Sequence, residues 1–230
     1  MKTFVLLAFA TFIASTAHAA DKAQAVIAAS RLAMGGAAWD KLTGSYEEGD
    51  HAGGKITYRT WLDFRRGSMR VESRSGGTTT VTGFDGRTAW RRGPDGAVRR
   101  VKDPAALKEA ILTAYVSFNG YYFPERYPAS FKYLRAEKSG SHAYDVVEVT
   151  PKANRAFELW FDQATHKISR LADVHAREPV IVDTEDYRTV DGIAVPFKFD
   201  IRNPKGVVLD RGNVHTVRFV DNDPKLFEPR

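Results

Sequence analysis

The segment Ile56-Thr-Tyr-Arg-Thr-Trp-Leu-Asp-Phe64 decides the fold class of this 230-residue chain, because its apolar and polar residues alternate. Ile56, Tyr58, Leu62 and Phe64 alternate with Lys55, Thr57, Arg59, Asp63 and Arg65. Side chains two residues apart share one face of a β-strand, so this pattern predicts a strand with one buried and one solvated face. Trp61 is the exception, because it places an aromatic ring on the face predicted to be polar.

Further strands with turn residues between them are predicted along most of the chain. Turns such as Asp85-Gly86 and Asp191-Gly192 are typical of antiparallel hairpins. The pattern predicts strands near 56–64, 68–74, 78–84, 87–92, 97–101, 130–137, 143–150, 156–162, 167–173, 180–188, 195–202 and 207–219. A twisted sheet of about a dozen strands seldom stays open and flat, so we expect this one to close or to curl around something.

Two helices are predicted beside these strands. Residues 22–34 are rich in helix-forming residues, with Asp21 as the expected N-cap and Gly35-Gly36 as the stop. The second helix starts at Asp103-Pro104 and continues with apolar residues at helical spacing until Gly120. A helix with one apolar stripe needs a surface on which to bury it. We therefore expect a mostly β (α+β) fold, in which a curled antiparallel sheet carries helices on its concave face.

The N-terminus has the pattern of a secretory signal. Met1-Lys2 precedes an apolar run over residues 4–14, and Ala17-His18-Ala19 supplies small residues at the positions that a signal peptidase reads. The run is too short for a membrane span, which takes about 20 residues. We expect residues 1–19 to be a cleaved signal peptide, residues 20–230 to form a single domain, and no transmembrane segment to remain.

Composition and spacing give little support for catalysis. The chain has no Cys, which excludes disulfides, thiolate zinc sites and cysteine nucleophiles. Its histidines show no HExxH or HxH spacing, and it has no Gly-x-Ser-x-Gly elbow. Carboxylates at Glu47, Glu48 and Asp50, or at Asp183, Glu185 and Asp186, could pair as acid and base, but solvated strand faces explain them equally well. We expect no catalytic residues, no metal site and no cofactor.

The positive charge is modest, at 34 Lys and Arg against 28 Asp and Glu. This excess is too small to indicate a nucleic-acid partner. Eight arginines in four neighbouring strands could form a basic stripe for an anionic envelope surface: Arg65, Arg66, Arg70, Arg74, Arg91, Arg92, Arg99 and Arg100. Ordinary solvent-exposed positions, partly balanced by Glu72 and Asp63, are the alternative interpretation.

An aromatic cluster at the end of the second helix is the other functional lead. Such residues are commonly core, but here they could instead line the mouth of an apolar cavity between helix and sheet. On the second interpretation the candidate ligand-binding residues are Leu107, Ile111, Tyr115, Phe118, Tyr121, Tyr122 and Phe123.

Five segments in order resemble the outer-membrane lipoprotein-sorting superfamily, the LolA/LolB-like periplasmic proteins. They are Phe84-Asp85-Gly86-x-x-Ala89-Trp90, Tyr144-Asp145-Val146-Val147, Phe157-x-Leu159-Trp160-Phe161-Asp162, Asp186-Tyr187-Arg188-x-Val190-Asp191-Gly192-Ile193-x-Val195-Pro196, and Leu226-Phe227-x-Pro229. The resemblance implies a periplasmic protein whose sheet is an incomplete β-barrel, with helices covering a concave face that can hold acyl chains.

Together these patterns favour an exported, non-enzymatic protein that binds an apolar or lipid-like ligand, as a lipoprotein-sorting-like carrier or chaperone would. A lipoprotein and an anionic envelope surface are the further candidate partners. An envelope interaction or structural module without a ligand is the alternative function, and a hydrolase is a weaker one.

Overall fold

The computed structural model describes residues 10–229, and for residues 10–20 it describes the backbone only. The first nine residues of the predicted signal peptide therefore lie outside the described residues. Within residues 10–229, no helix combines the length and the apolar character needed to cross a membrane.

The described residues form thirteen strands in one sheet. The strands are β1 (Gly44–His51), β2 (Ile56–Asp63), β3 (Ser68–Ser75), β4 (Thr78–Phe84), β5 (Ala89–Arg92), β6 (Val98–Arg100), β7 (Ala129–Ser139), β8 (His142–Pro151), β9 (Phe157–Asp162), β10 (Ile168–Asp173), β11 (Val180–Val190), β12 (Ile193–Arg202) and β13 (Val208–Phe219). The order across the sheet is β6-β5-β4-β3-β2-β1-β13-β12-β11-β10-β9-β8-β7, and its neighbouring strands are antiparallel. Strands β6 and β7 are its two edges, so the predicted open, curled and mostly β architecture is confirmed.

The sheet consists of two meanders joined in the middle. Within each meander every strand pairs with the next along the chain, and the pairing of β1 with β13 connects the N-terminal and C-terminal halves. That pairing places Glu47 opposite Val217 and has a bulge between Glu48 and Gly49. The central strands of the sheet are therefore β1, β2, β12 and β13, which come from opposite ends of the sequence.

Helix α1 (Ala10–Ala33) packs against β7 and β8. Its buried residues Ala23, Ile27 and Ser30 recur at the spacing of one helical face, which is the face turned to the sheet. The prediction that Asp21 is the N-cap is wrong, because the helix begins at Ala10 and Asp21 lies in its interior. Residues 10–20 contain no Gly or Pro to interrupt the helix.

The predicted glycine stop after α1 is confirmed. Gly35 and Gly36 both have positive φ, and a Cβ on Gly35 would lie 2.6 Å from Ile193 Cδ1. A short 3-10 helix, Gly36–Lys41, then leads into β1.

Helix α2 (Pro104–Ser117) connects the two meanders and packs near β4. Asp103 is its N-cap as predicted, since its carboxylate accepts the Ala106 amide at 2.9 Å. A second short 3-10 helix, Gly120–Tyr122, continues from its C-terminal end. The core lies between these helices and the sheet, and it contains Phe64, Leu159, Phe161, Ile193 and residues from both helices.

The opposite, convex face of the sheet is partly covered by the C-terminal segment. A third 3-10 helix, Pro224–Phe227, places Phe227 at 1% exposure, and the Phe227 carbonyl accepts a hydrogen bond from Trp90 Nε1 at 2.8 Å. Arg70 lies between Trp61 and Trp90, with its guanidinium carbon 5.8 Å from each ring centroid. This packing explains why Trp61 occupies a face that the alternation predicts to be polar.

Candidate functional site

An apolar cavity opens between the helices and the middle of the concave face. Its volume is about 280 Å³, near the lower end of the range for small-molecule sites. Most of its wall is aliphatic, and the side chains of Leu62, Leu159, Leu171, Val182, Val195 and Val217 contribute to it. The lining of the cavity is thus mostly apolar.

The lining residues come from distant parts of the sequence. Strands β1, β2 and β9 to β13 form one wall, and Met34, Trp39 and the end of α2 form the other. The alternation of strand residues explains why they converge. On β1, for example, Ser45 and Glu47 line the cavity while Tyr46 packs against Trp61 on the convex face.

Glu47 is the carboxylate in this apolar wall. Its Oε1 accepts a hydrogen bond from the Tyr58 hydroxyl at 2.9 Å. Burial raises the pKa of Glu47, and the hydrogen bond from Tyr58 offsets this only in part. Burial and the neighbouring carboxylate also raise the pKa of Tyr58, so its hydroxyl stays neutral and can donate.

Trp39 is the second polar group of note in the lining. It is 3% exposed and packs against Tyr122 and Phe123. Its Nε1–H has no hydrogen-bond partner among the described residues. A buried indole N–H usually finds an acceptor, and the buried Tyr115 hydroxyl lacks a partner among the described residues in the same way.

The seven predicted ligand-binding residues do not all lie at the cavity in the structure. Tyr121 belongs to the buried core, at 3% exposure, and also lines the cavity. Tyr115, Phe118 and Tyr122 are buried in the core, where Tyr122 and Ser30 share a hydrogen bond of 2.7 Å between their hydroxyls. Leu107 and Phe123 are partly buried against the core, and Ile111 is 37% exposed. Ligand binding by this set stays a prediction.

Glu47, Tyr58 and Trp39 are not among the ligand-binding residues that the sequence predicts. The interpretation of Glu47 as part of a solvated strand face is wrong, because β1 turns this side chain toward the cavity. The prediction that Asp63 lies on a solvated face is likewise wrong, because Asp63 is 1% exposed and accepts the Arg65 and Arg66 amides at 2.8 and 3.1 Å. The alternation from Ser45 to Gly49 was the available signal for Glu47, but that segment has too few apolar residues to mark a strand.

The arginines of the predicted stripe have different roles. Arg70 is 9% exposed and is held by Glu72 and by the Leu226 carbonyl. Arg66 pairs with Asp63, and Arg99 pairs with Asp95. Several members are therefore committed to contacts within the chain, which weakens the case for a continuous basic surface.

Three histidines pair with aspartates on the sheet. His51 contacts Asp210 at 2.7 Å, His215 contacts Asp50 at 2.5 Å, and His142 contacts Asp162 at 3.3 Å. Among residues 21–229, whose side chains the structure describes, no group of three or more His, Asp or Glu side chains is arranged to hold a metal ion. These pairs connect neighbouring strands or their turns.

Comparison with solved structures identifies the fold. A LolA superfamily protein from Nitrosomonas europaea superposes with a TM-score of 0.54 at 14% identity, covering 90% of this chain and 97% of the other. The fold is LolA-like. A domain from Vibrio parahaemolyticus, described as that of an outer membrane lipoprotein-sorting protein, gives a TM-score of 0.55 at 15% identity and covers 87% and 93% of the two chains.

A DUF1329 family protein from Desulfovibrio piger shares the LolA-like fold as well. It gives a TM-score of 0.58 at 15% identity, with 90% of this chain and 97% of the other covered. No protein-family model matches the sequence, and no curated protein matches it either. The LolA-like likeness is therefore one of fold, and the resemblance noted from the sequence segments agrees with it.

Proposed function

We propose that this chain is an exported periplasmic carrier that holds an apolar or lipid-like ligand in the concave cavity. The aliphatic cavity between sheet and helices is the observation that carries the proposal. Burial of apolar ligand surface there would supply about 25 cal/mol per Å². Residues 20–230 form the carrier domain in this proposal, and residues 1–19 direct its export.

The LolA-like fold supports a carrier or chaperone role rather than catalysis. One neighbour of the same fold is described as a lipoprotein-sorting domain, which makes a lipoprotein acyl chain one candidate ligand. A fold alone does not determine function, so the cavity itself has to be tested.

A cavity-filling variant tests the proposal. Val217→Trp on β13 would place an indole into the cavity, while Leu209→Trp changes a residue of the same strand that is 58% exposed. Binding of the neutral fluorescent probe N-phenyl-1-naphthylamine is measured for both, with thermal melts to check folding. We expect Val217→Trp to weaken binding by about tenfold or more and Leu209→Trp to leave it unchanged.

The same measurement separates the alternatives. If the wild-type protein binds no apolar probe, the carrier proposal fails and an interaction module without a ligand takes its place. If the probe binds equally well to both tryptophan variants, the binding site lies outside the cavity and the proposal is wrong.

A further inference from the structure

We propose that Glu47 and Tyr58 form a head-group site, at which the cavity receives an amphiphile that carries a protonated amine. The inference rests on the proposed function, since it names the chemical class of ligand for the same cavity. It follows from which polar atoms the cavity exposes and which partners they already have.

Glu47 has acceptor capacity left over. An ionised carboxylate offers about four lone-pair positions on two oxygens, and Tyr58 uses one of them on Oε1. Within residues 10–229, no Lys or Arg forms an ion pair with Glu47. A carboxylate in an apolar wall is costly unless a cation or several donors meet it. A ligand ammonium group supplies both a positive charge and N–H donors.

Glu48, the next residue along β1, provides a comparison for Glu47. Glu48 follows Glu47 on β1, but its carboxylate accepts the Tyr46 hydroxyl at 2.5 Å and lies 3.7 Å from Arg59. The chain therefore supplies a cation to the carboxylate on the convex face and none to the one in the cavity.

Tyr58 fixes the orientation of the site. Its hydroxyl donates to Glu47, and its ring lies 6.2 Å from the ring of His51, which is held by Asp210. The Tyr58 hydrogen bond is made to Oε1, so Oε2 is the oxygen that has no partner within the described chain. We assign the ligand ammonium to Oε2.

The cavity volume limits the enclosed part of the ligand. A volume of about 280 Å³ holds on the order of nine water-sized groups, since each takes about 30 Å³. One short alkyl segment fits this space, so ten-carbon compounds are suitable probes.

The test compares three decyl compounds by isothermal titration calorimetry at neutral pH: decylamine, decan-1-ol and decanoic acid. An alkylamine is protonated there, as lysine is. We expect the wild-type protein to bind decylamine about tenfold or more tightly than decan-1-ol, and decanoic acid most weakly. Glu47→Gln should remove the preference for the amine, so that decylamine and decan-1-ol bind this variant with similar affinity. Glu48→Gln is the matched control and should behave as wild type.

The outcomes distinguish the two proposals. Binding of decan-1-ol without any preference for decylamine overturns the head-group site but leaves the carrier proposal standing. The same conclusion follows if decanoic acid binds most tightly, or if Glu47→Gln retains the amine preference. Failure of all three compounds to bind the wild-type protein overturns the carrier proposal itself.

Discussion

Arg155 holds Glu109 of helix α2 through two hydrogen bonds, of 2.7 Å from Nη1 to Oε2 and 2.9 Å from Nη2 to Oε1. The same guanidinium donates from Nε to Asp173 of β10 at 3.0 Å. Beside it, Asn154 donates to the Lys108 carbonyl at 2.8 Å. The loop between β8 and β9 thus ties α2 to the C-terminal meander, across the same concave side that contains the cavity.

Replacing this arginine should loosen α2. Arg155→Gln removes the bidentate pairing and leaves the Asp173 carboxylate, which is 13% exposed, without its cation. We expect a loss of about 1–2 kcal/mol in the free energy of unfolding, most of it from the unpaired Asp173 carboxylate. The lost pairing with Glu109 adds little, because Glu109 is 57% exposed. Urea denaturation measures this, and Arg177→Gln, at an exposed position, is the control. Equal stability of the two variants would contradict the assignment.

The Asp85-Gly86 turn between β4 and β5 should tolerate no side chain. Gly86 has a φ of +95°, and a Cβ there would lie 2.6 Å from the Arg66 carbonyl oxygen. Gly86→Val combines backbone strain with this clash, and we expect it to cost about 2–3 kcal/mol. Gly96→Val is the control, since Gly96 also has positive φ but no heavy atom within 4 Å. Thermal melts should show a clearly larger loss for Gly86→Val, and similar losses would mean that the Arg66 contact is unimportant.

The stability difference between Glu47→Gln and wild type should depend on pH. The pKa of Glu47 is raised in the folded protein by burial, so the folded state holds this proton more tightly than the unfolded state. Below the ordinary glutamate pKa of about 4.3, Glu47 is protonated in both the folded and the unfolded protein, and the cost of burying an ionised carboxylate is absent. As pH rises above that value, the wild-type protein loses stability relative to Glu47→Gln until the folded-state pKa is passed.

Denaturation of both proteins from pH 4 to pH 8 measures this difference, and the other carboxylates cancel in the comparison. The account predicts that the advantage of Glu47→Gln increases with pH. A difference that is constant, or that favours the wild type more at neutral pH, would show that Glu47 is not desolvated.

The predicted cleavage site can be read directly. Because Ala17 and Ala19 are the small residues after the apolar run, the exported protein should begin at Ala20. N-terminal sequencing of protein recovered from the periplasm checks this. A start more than a few residues away, or an uncleaved chain, would contradict the proposed processing.

Most strands could be predicted from the sequence because alternation and turn residues coincide in them. Strand β1 was missed, since Gly44–His51 contains Tyr46 as its one large apolar residue and pairs on both sides through the backbone. Its position in the middle of the sheet is set by long-range pairing with β13, and no local sequence pattern indicates such a pairing. Glu47 was therefore also missed as a cavity residue.

The aromatic cluster shows a different limit of sequence reasoning. The sequence does not show whether Tyr121 or Tyr122 lies in the core or lines the cavity, because both side chains are large and mostly apolar. In the structure Tyr121 lines the cavity, while the Tyr122 hydroxyl is satisfied by Ser30, which is 92 residues away in the sequence. Which aromatic residue faces a cavity depends on how a helix docks on a sheet, and that is decided by tertiary packing.

Native mass spectrometry of the protein purified from the periplasm tests the central claim most directly. The carrier account predicts a wild-type population with added mass from a co-purified small amphiphile, and loss of that mass in Val217→Trp but not in Leu209→Trp. Wild-type protein that carries no added mass, and that also binds no apolar probe in solution, would contradict the account.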